Sequence, residues 1–171
     1  MPNTKEITEK LAQGYKQLVE SSKEFMEVTK KEATPALLDA VDKGKEKVAE
    51  LTELTAEEID KVSDFVIKDI HNAAEYIAVG ERDLTDWLRI DALLIEDKFL
   101  DAFSHMVDHT KVALDEIAEN AKRATEWHTG EITSPGTLVC SKCGEVLHFH
   151  NPGHVPPCPK CHATVFVRAE D

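Results

Sequence analysis

Cys140-Ser141-Lys142-Cys143-Gly144 and Cys158-Pro159-Lys160-Cys161-His162, with fourteen residues between the inner cysteines, decide how this 171-residue chain is read. Two CxxC pairs at this separation have the spacing of a four-cysteine metal site. A tight CxxC turn sets two sulfurs on one side of a metal with backbone N–H groups aimed at them. Two such turns complete a tetrahedron. Gly144 suits the positive φ that closes the first knuckle, and Pro159 stiffens the second. The expected ligands are Cys140, Cys143, Cys158 and Cys161, and the expected cofactor is one structural Zn²⁺ per chain. Four thiolates close the coordination shell, so no catalytic residue is expected at the metal, and no other cofactor-binding residue is assigned. A dithiol redox centre fits less well, because two facing pairs replace the single CxxC on a βαβ unit that it requires.

The flanks read as β-structure. Thr137–Val139, Val146–Phe149 and Thr164–Val167 are short runs of β-formers, which gives a zinc ribbon over residues 138–171. So small a unit buries too little apolar surface to fold alone, and the metal is expected to supply the difference. His148, His150, His154 and His162 crowd this segment. Strand or loop surface positions are the favoured reading, with a second metal site as the alternative. No cysteine lies outside 140–161, and residues 1–10 are polar and charged without an apolar signal core. Clustered thiols without a secretory signal point to the cytoplasm, and no apolar run is long enough for a membrane span.

Before the ribbon the pattern is helical. Ile7, Leu11, Tyr15, Leu18, Ser22 and Phe25 recur at spacings of three and four. Thr34-Pro35 reads as a stop and restart, leading into a second helix with Leu37, Leu38, Val41, Val48 and Leu51, weakened by Gly44. Thr55-Ala56-Glu57-Glu58 is a capping box that opens a third helix, with Ile59, Val62, Val66, Ile70, Ala73 and Ile77 on one face and an end at Val79-Gly80. A last helix is expected to run from Asp83 to Trp127, with coiled-coil-like repeats at Phe99, Met106, Ala113 and at Phe103, Thr110, Ile117. Trp87 and Trp127 near its ends are expected in packing roles. Asp101, His105 and His109 share one of its faces and read as a solvated surface rather than a metal site.

One-faced helices need one another, so the fold class is mainly α: long amphipathic helices in an antiparallel hairpin or bundle, plus a small C-terminal β zinc ribbon. The expected domains are an acidic, coiled-coil-like helical part over 1–127, a linker over 128–137 and the four-cysteine ribbon over 138–171. Divided in this way, Cys140→Ser or Cys158→Ser is expected to unfold the ribbon and leave the helical circular-dichroism signal largely intact.

The formal net charge is −13, all of it in residues 1–134, where 30 acids face 17 bases. A four-thiolate zinc site would add about −2 more. Such a surface repels phosphate backbones and anionic membranes and favours basic partners.

Glu53–Ile59, Asp86–Asp91, His128–Ile132, Gly136–Cys140 and Gly153–Cys161 together resemble the uncharacterised bacterial zinc-ribbon-containing family called YbeL-like, a domain of unknown function. The resemblance covers nearly the whole chain and implies helices followed by a zinc ribbon in a bacterial cytoplasmic protein. It carries no activity with it. The expected function is a non-enzymatic zinc-binding interaction or regulatory protein, a helical scaffold carrying a structural ribbon. Its expected partner is a protein, basic in character, with a homo-oligomer through the helices as a further expectation. A nucleic-acid-associated regulator acting through the ribbon is the alternative. It is disfavoured by a ribbon whose bases are only Lys142, Lys160 and Arg168.

Overall fold

The apolar stripes of the sequence close on one another in the computed structural model, which describes residues 4–28, 37–78, 83–112 and 126–168. Helices α1 (Thr4–Val28), α2 (Leu37–Leu51) and α3 (Ala56–Ala78) pack with a fifth helix into a bundle. Gly44 of α2 lies against Leu18 and Ser22 of α1, and Gly14 lies against Leu54 just beyond α2. The second helix therefore runs back along the first as an antiparallel hairpin. α3 returns alongside α1, with Lys10–Glu58 at 3.9 Å and the Tyr15 hydroxyl donating to Asp69 at 2.6 Å.

Local chemistry sets several boundaries. The Thr55 N–H donates to Glu58 at 2.9 Å and the Glu58 N–H to the Thr55 hydroxyl at 3.1 Å, which is the expected capping box. All six stripe residues of α3, Ile59, Val62, Val66, Ile70, Ala73 and Ile77, are buried. On α2, Val41 and Val48 are buried, but Leu38 and Leu51 face solvent at 55% and 56% exposure. The buried face of α2 is Ala40, Val41, Gly44 and Val48, and Leu54 just beyond the helix is buried against Gly14 of α1. Gly44 is required by this approach, since a Cβ there would sit 2.5 Å from the Ser22 hydroxyl and 3.2 Å from the Ser22 backbone nitrogen. Gly44→Ala should lower stability in a denaturant titration by about 1 kcal/mol. The overpacking cost of about 1–3 kcal/mol outweighs the helix-propensity gain of about 1 kcal/mol.

The single helix expected from Asp83 to Trp127 is broken. Helix α4 spans Leu84–Leu88, a 3₁₀ turn Ala92–Leu94, and α5 Asp97–Val112. Asp83 and Asp86 form a second capping box, Arg89 ends α4 at φ 55, and the Asp91 carboxylate caps the 3₁₀ turn through Leu93 N–H. These aspartates offer the backbone local partners that compete with helix continuation. Of the expected heptad positions, Phe99, Phe103, Met106 and Thr110 are buried. Ala113 and Ile117 lie outside the described residues, as do Thr34-Pro35 and Val79-Gly80. Among the described residues no helix is long and apolar enough to cross a membrane.

The C-terminal part is β-structure. Strands β1 (Trp127–His128), β6 (Val165–Arg168), β3 (Gly136–Cys140) and β4 (Val146–Phe149) form one antiparallel sheet in that order. Strands β2 (Ile132–Thr133) and β5 (Gly153–His154) form a second pair. Residues 128–137, expected as a linker, thus hold the end of β1, all of β2 and the start of β3. Their turn residues had signalled a connection, but two-residue strands between turns give no readable period. Ile132 is buried in the same core cluster as the helices. The C-terminal part therefore lends Ile132 to the helical core, while Trp127, Leu138, Val155 and Phe166 form a second cluster with the cysteines.

Candidate metal centre

Each CxxC pair sits on a turn of the same construction. In the first, Gly144 N–H donates to the Cys140 carbonyl at 3.0 Å and Cys140 N–H to Glu145 at 2.8 Å. In the second, His162 N–H donates to the Cys158 carbonyl at 2.9 Å and Cys158 N–H to Ala163 at 2.8 Å. The residue after each second cysteine has a left-handed backbone, with Gly144 at φ 81 and His162 at φ 64. Histidine tolerates this region better than most residues, and a β-branched side chain does not. His162→Val should therefore destabilise the ribbon by about 1–2 kcal/mol relative to His162→Gly, read as thermal midpoints of the two variants.

The turns bring the four expected ligands together. Cys140 Sγ lies 3.6 Å from Cys161 Sγ, and Cys143 Sγ lies 3.6 Å from Cys158 Sγ. All four sulfurs fall within 4.8 Å of one another. A tetrahedral ion with bonds of about 2.3 Å has sulfurs about 3.8 Å apart, so the set fits zinc. Ionisation points the same way. Backbone N–H groups, led by Cys143 and followed by Lys142, hold the Cys140 thiol down to about 6. Cys158 is also lowered. Burial is its largest single influence and pushes it up, but the N–H groups of Cys161 and Lys160 and the neighbouring thiols outweigh this. Cys143 is pushed up to about 12. The Glu145 N–H lowers it, but burial and the other three thiols prevail. Four thiolates this close repel one another, and a bound cation offsets that repulsion.

Among the described residues, these cysteines are the only group of three or more potential His, Cys, Asp or Glu ligands within metal-binding reach. His148 Nδ1 lies 3.0 Å from the Thr137 hydroxyl. His150 and His162 are exposed, while His154 on β5 is half-buried and burial lowers its pKa. On α5, Asp101 pairs with Lys23 at 3.2 Å and His105 is exposed, while the His109 side chain lies outside the described residues.

A buried polar junction between bundle and ribbon went unread in the sequence. Asp69 on α3 is 1% exposed and Arg168 on β6 is 7% exposed, with 3.6 Å between carboxylate and guanidinium. Asp69 also accepts from Tyr15, from Trp127 Nε1 at 2.7 Å and from Ser134 N–H at 2.9 Å. Arg168 donates to the hydroxyls of Thr133 and Ser134 at 2.7 and 2.9 Å and lies over the Trp87 ring at 4.1 Å. Burial pushes the Asp69 carboxyl up and the Arg168 guanidinium down, and each partner's charge opposes the other's shift. Tyr15 is raised well above its ordinary value by burial and then by Asp69, so its hydroxyl remains a donor. Nearby, Lys68 pairs with Glu131 at 2.7 Å, and the Thr137 hydroxyl donates to the Arg89 carbonyl at 3.0 Å. Trp87 and Trp127 have the packing roles expected of them, and each indole N–H is also used, that of Trp87 reaching Asn72 at 2.8 Å. Nothing local to Asp69 or Arg168 in the sequence signals this junction.

With this geometry in view, residues 23–170 match the family described as a zinc-ribbon containing domain. The chain belongs to that family. It is also similar to the uncharacterised protein YbeL of Escherichia coli, in strain K12 and in O157:H7. Each is 28% identical over 164 residues, covering 93% of this chain and 96% of the relative. No solved structure shows a significant match. Within the family's span, Asp86–Asp91, His128–Ile132 and Gly136–Cys140 meet at the junction, through Trp87, Glu131 and Thr137.

Proposed function

We propose that this protein is a non-enzymatic, zinc-dependent interaction scaffold. One structural Zn²⁺ per chain would be held by Cys140, Cys143, Cys158 and Cys161, and an acidic helical bundle would present the ribbon to a protein partner in the cytoplasm. The observation that carries the reading is the four-sulfur set with its members within 4.8 Å, because four thiolates leave no open position for substrate or activated water. The charge of −13 favours a basic protein partner over a phosphate backbone. Assembly through the helices remains part of the proposal.

Crosslinking in cells, followed by purification of wild type and of Cys140→Ser, tests it. A protein captured by wild type and lost from the variant supports a ribbon-dependent scaffold. Affinity of the purified chain for DNA or RNA that falls steeply with salt would instead favour the nucleic-acid-associated alternative.

A further inference from the structure

Strand β6 joins the four-cysteine cluster to the deepest polar group of the bundle. Cys140 pairs with Phe166, and Ser141 N–H donates to the Val165 carbonyl at 3.1 Å, so the first knuckle fixes the register of β6. The second knuckle leads directly into β6, and Arg168 follows Cys161 by seven residues. On the other side of β6, Trp127 pairs with Phe166. Arg168 and Trp127, the two ribbon side chains that reach Asp69, are therefore both placed by a strand that the cluster holds.

Both charges of the junction are withdrawn from solvent. The buried Arg168 Nε has no partner among the described residues. A buried ion pair sits close to the balance between Coulomb attraction and the cost of desolvation. A modest bias from elsewhere then decides whether it stays closed.

We propose that metal occupancy at the four cysteines latches the ribbon onto the helical bundle through the Arg168–Asp69–Trp127 junction. With the metal bound, β6 holds Arg168 and Trp127 on Asp69. Loss of the metal releases both and uncovers the face formed by Tyr15, Asp69 and Trp87. The latch rests on the zinc reading of the cluster. Coupling of this kind is reciprocal, so weakening the junction must weaken metal retention although no junction residue touches a sulfur.

The test uses the full chain, zinc-loaded, with metal content measured first. A chromophoric chelator then reports zinc release while tryptophan emission is followed in the same sample. In wild type, emission should shift to longer wavelength in step with zinc release. Asp69→Asn should lose zinc roughly 5- to 150-fold more readily. Arg168→Lys provides the same comparison if Asp69→Asn does not fold. Zinc leaving wild type with tryptophan emission unchanged would overturn the latch. So would zinc held as tightly by the folded variants as by wild type. Purified wild type that contains no metal, yet has its tryptophans natively packed, would overturn the zinc reading and the latch with it. The initial metal measurement separates that failure from the other two.

Discussion

Arg168→Ala should destabilise the protein by about 3–5 kcal/mol, the cost of leaving a buried carboxylate without its counter-charge. Asp69 is 1% exposed and has no route to water while the bundle is closed. The substitution also strips the hydroxyls of Thr133 and Ser134 of their donor and uncovers the Trp87 ring. Equilibrium denaturation of wild type and variant reads the loss directly. Removing both charges, as in Asp69→Leu with Arg168→Met, should not rescue the fold completely. Asp69 accepts from Tyr15, Trp127 and Ser134 as well as facing Arg168, and a leucine leaves those three buried donors unmet. Wild-type stability in Arg168→Ala would mean that the ribbon does not dock through this pair in solution.

Cys158→Ser has the second large effect. Cys158 is fully buried among Trp127, Leu138 and Phe166. Structural zinc contributes roughly 10–16 kcal/mol of binding free energy to small sites, which is as large as the total stability of a typical domain, about 5–15 kcal/mol. The ribbon should therefore unfold. Division of the chain at a linker leads to the expectation of an undisturbed helical signal. The contacts between the two parts lead to a different one, because Ile132 is buried in the helical core and Trp127 and Arg168 both reach Asp69 of the bundle. The thermal midpoint of the helical circular-dichroism signal should fall by roughly 10 °C or more, taking about 2–4 °C per kcal/mol for a chain of this size. A midpoint equal to wild type would restore the picture of two independent modules.

The difference between these expectations shows which physics the sequence carried. The four-cysteine cluster was legible in the sequence, because two CxxC pairs encode their geometry locally and Gly144 marks its own backbone conformation. β3, β4 and β6 were legible as runs of β-formers, and α3 was legible from its capping box and its uniform stripe. The break near Arg89 was missed because the apolar period continues through Leu88, Ile95 and Phe99 while the backbone does not. The aspartates at 83, 86 and 91 supplied the competing caps. Strands β1, β2 and β5 are two residues each, too short for alternation to register. The junction was invisible for a different reason: Asp69 and Arg168 are 99 positions apart, and nothing local to either says that the other exists.

The most direct measurement is native mass spectrometry of the full-length chain, purified without added metal, beside its Cys140→Ser and Cys158→Ser variants. The expected result is a wild-type mass carrying one Zn²⁺ in place of two protons at each charge state, with the metal absent from both variants. A wild-type chain that carries no metal, or that keeps its zinc when these cysteines are replaced, would contradict the four-cysteine zinc site.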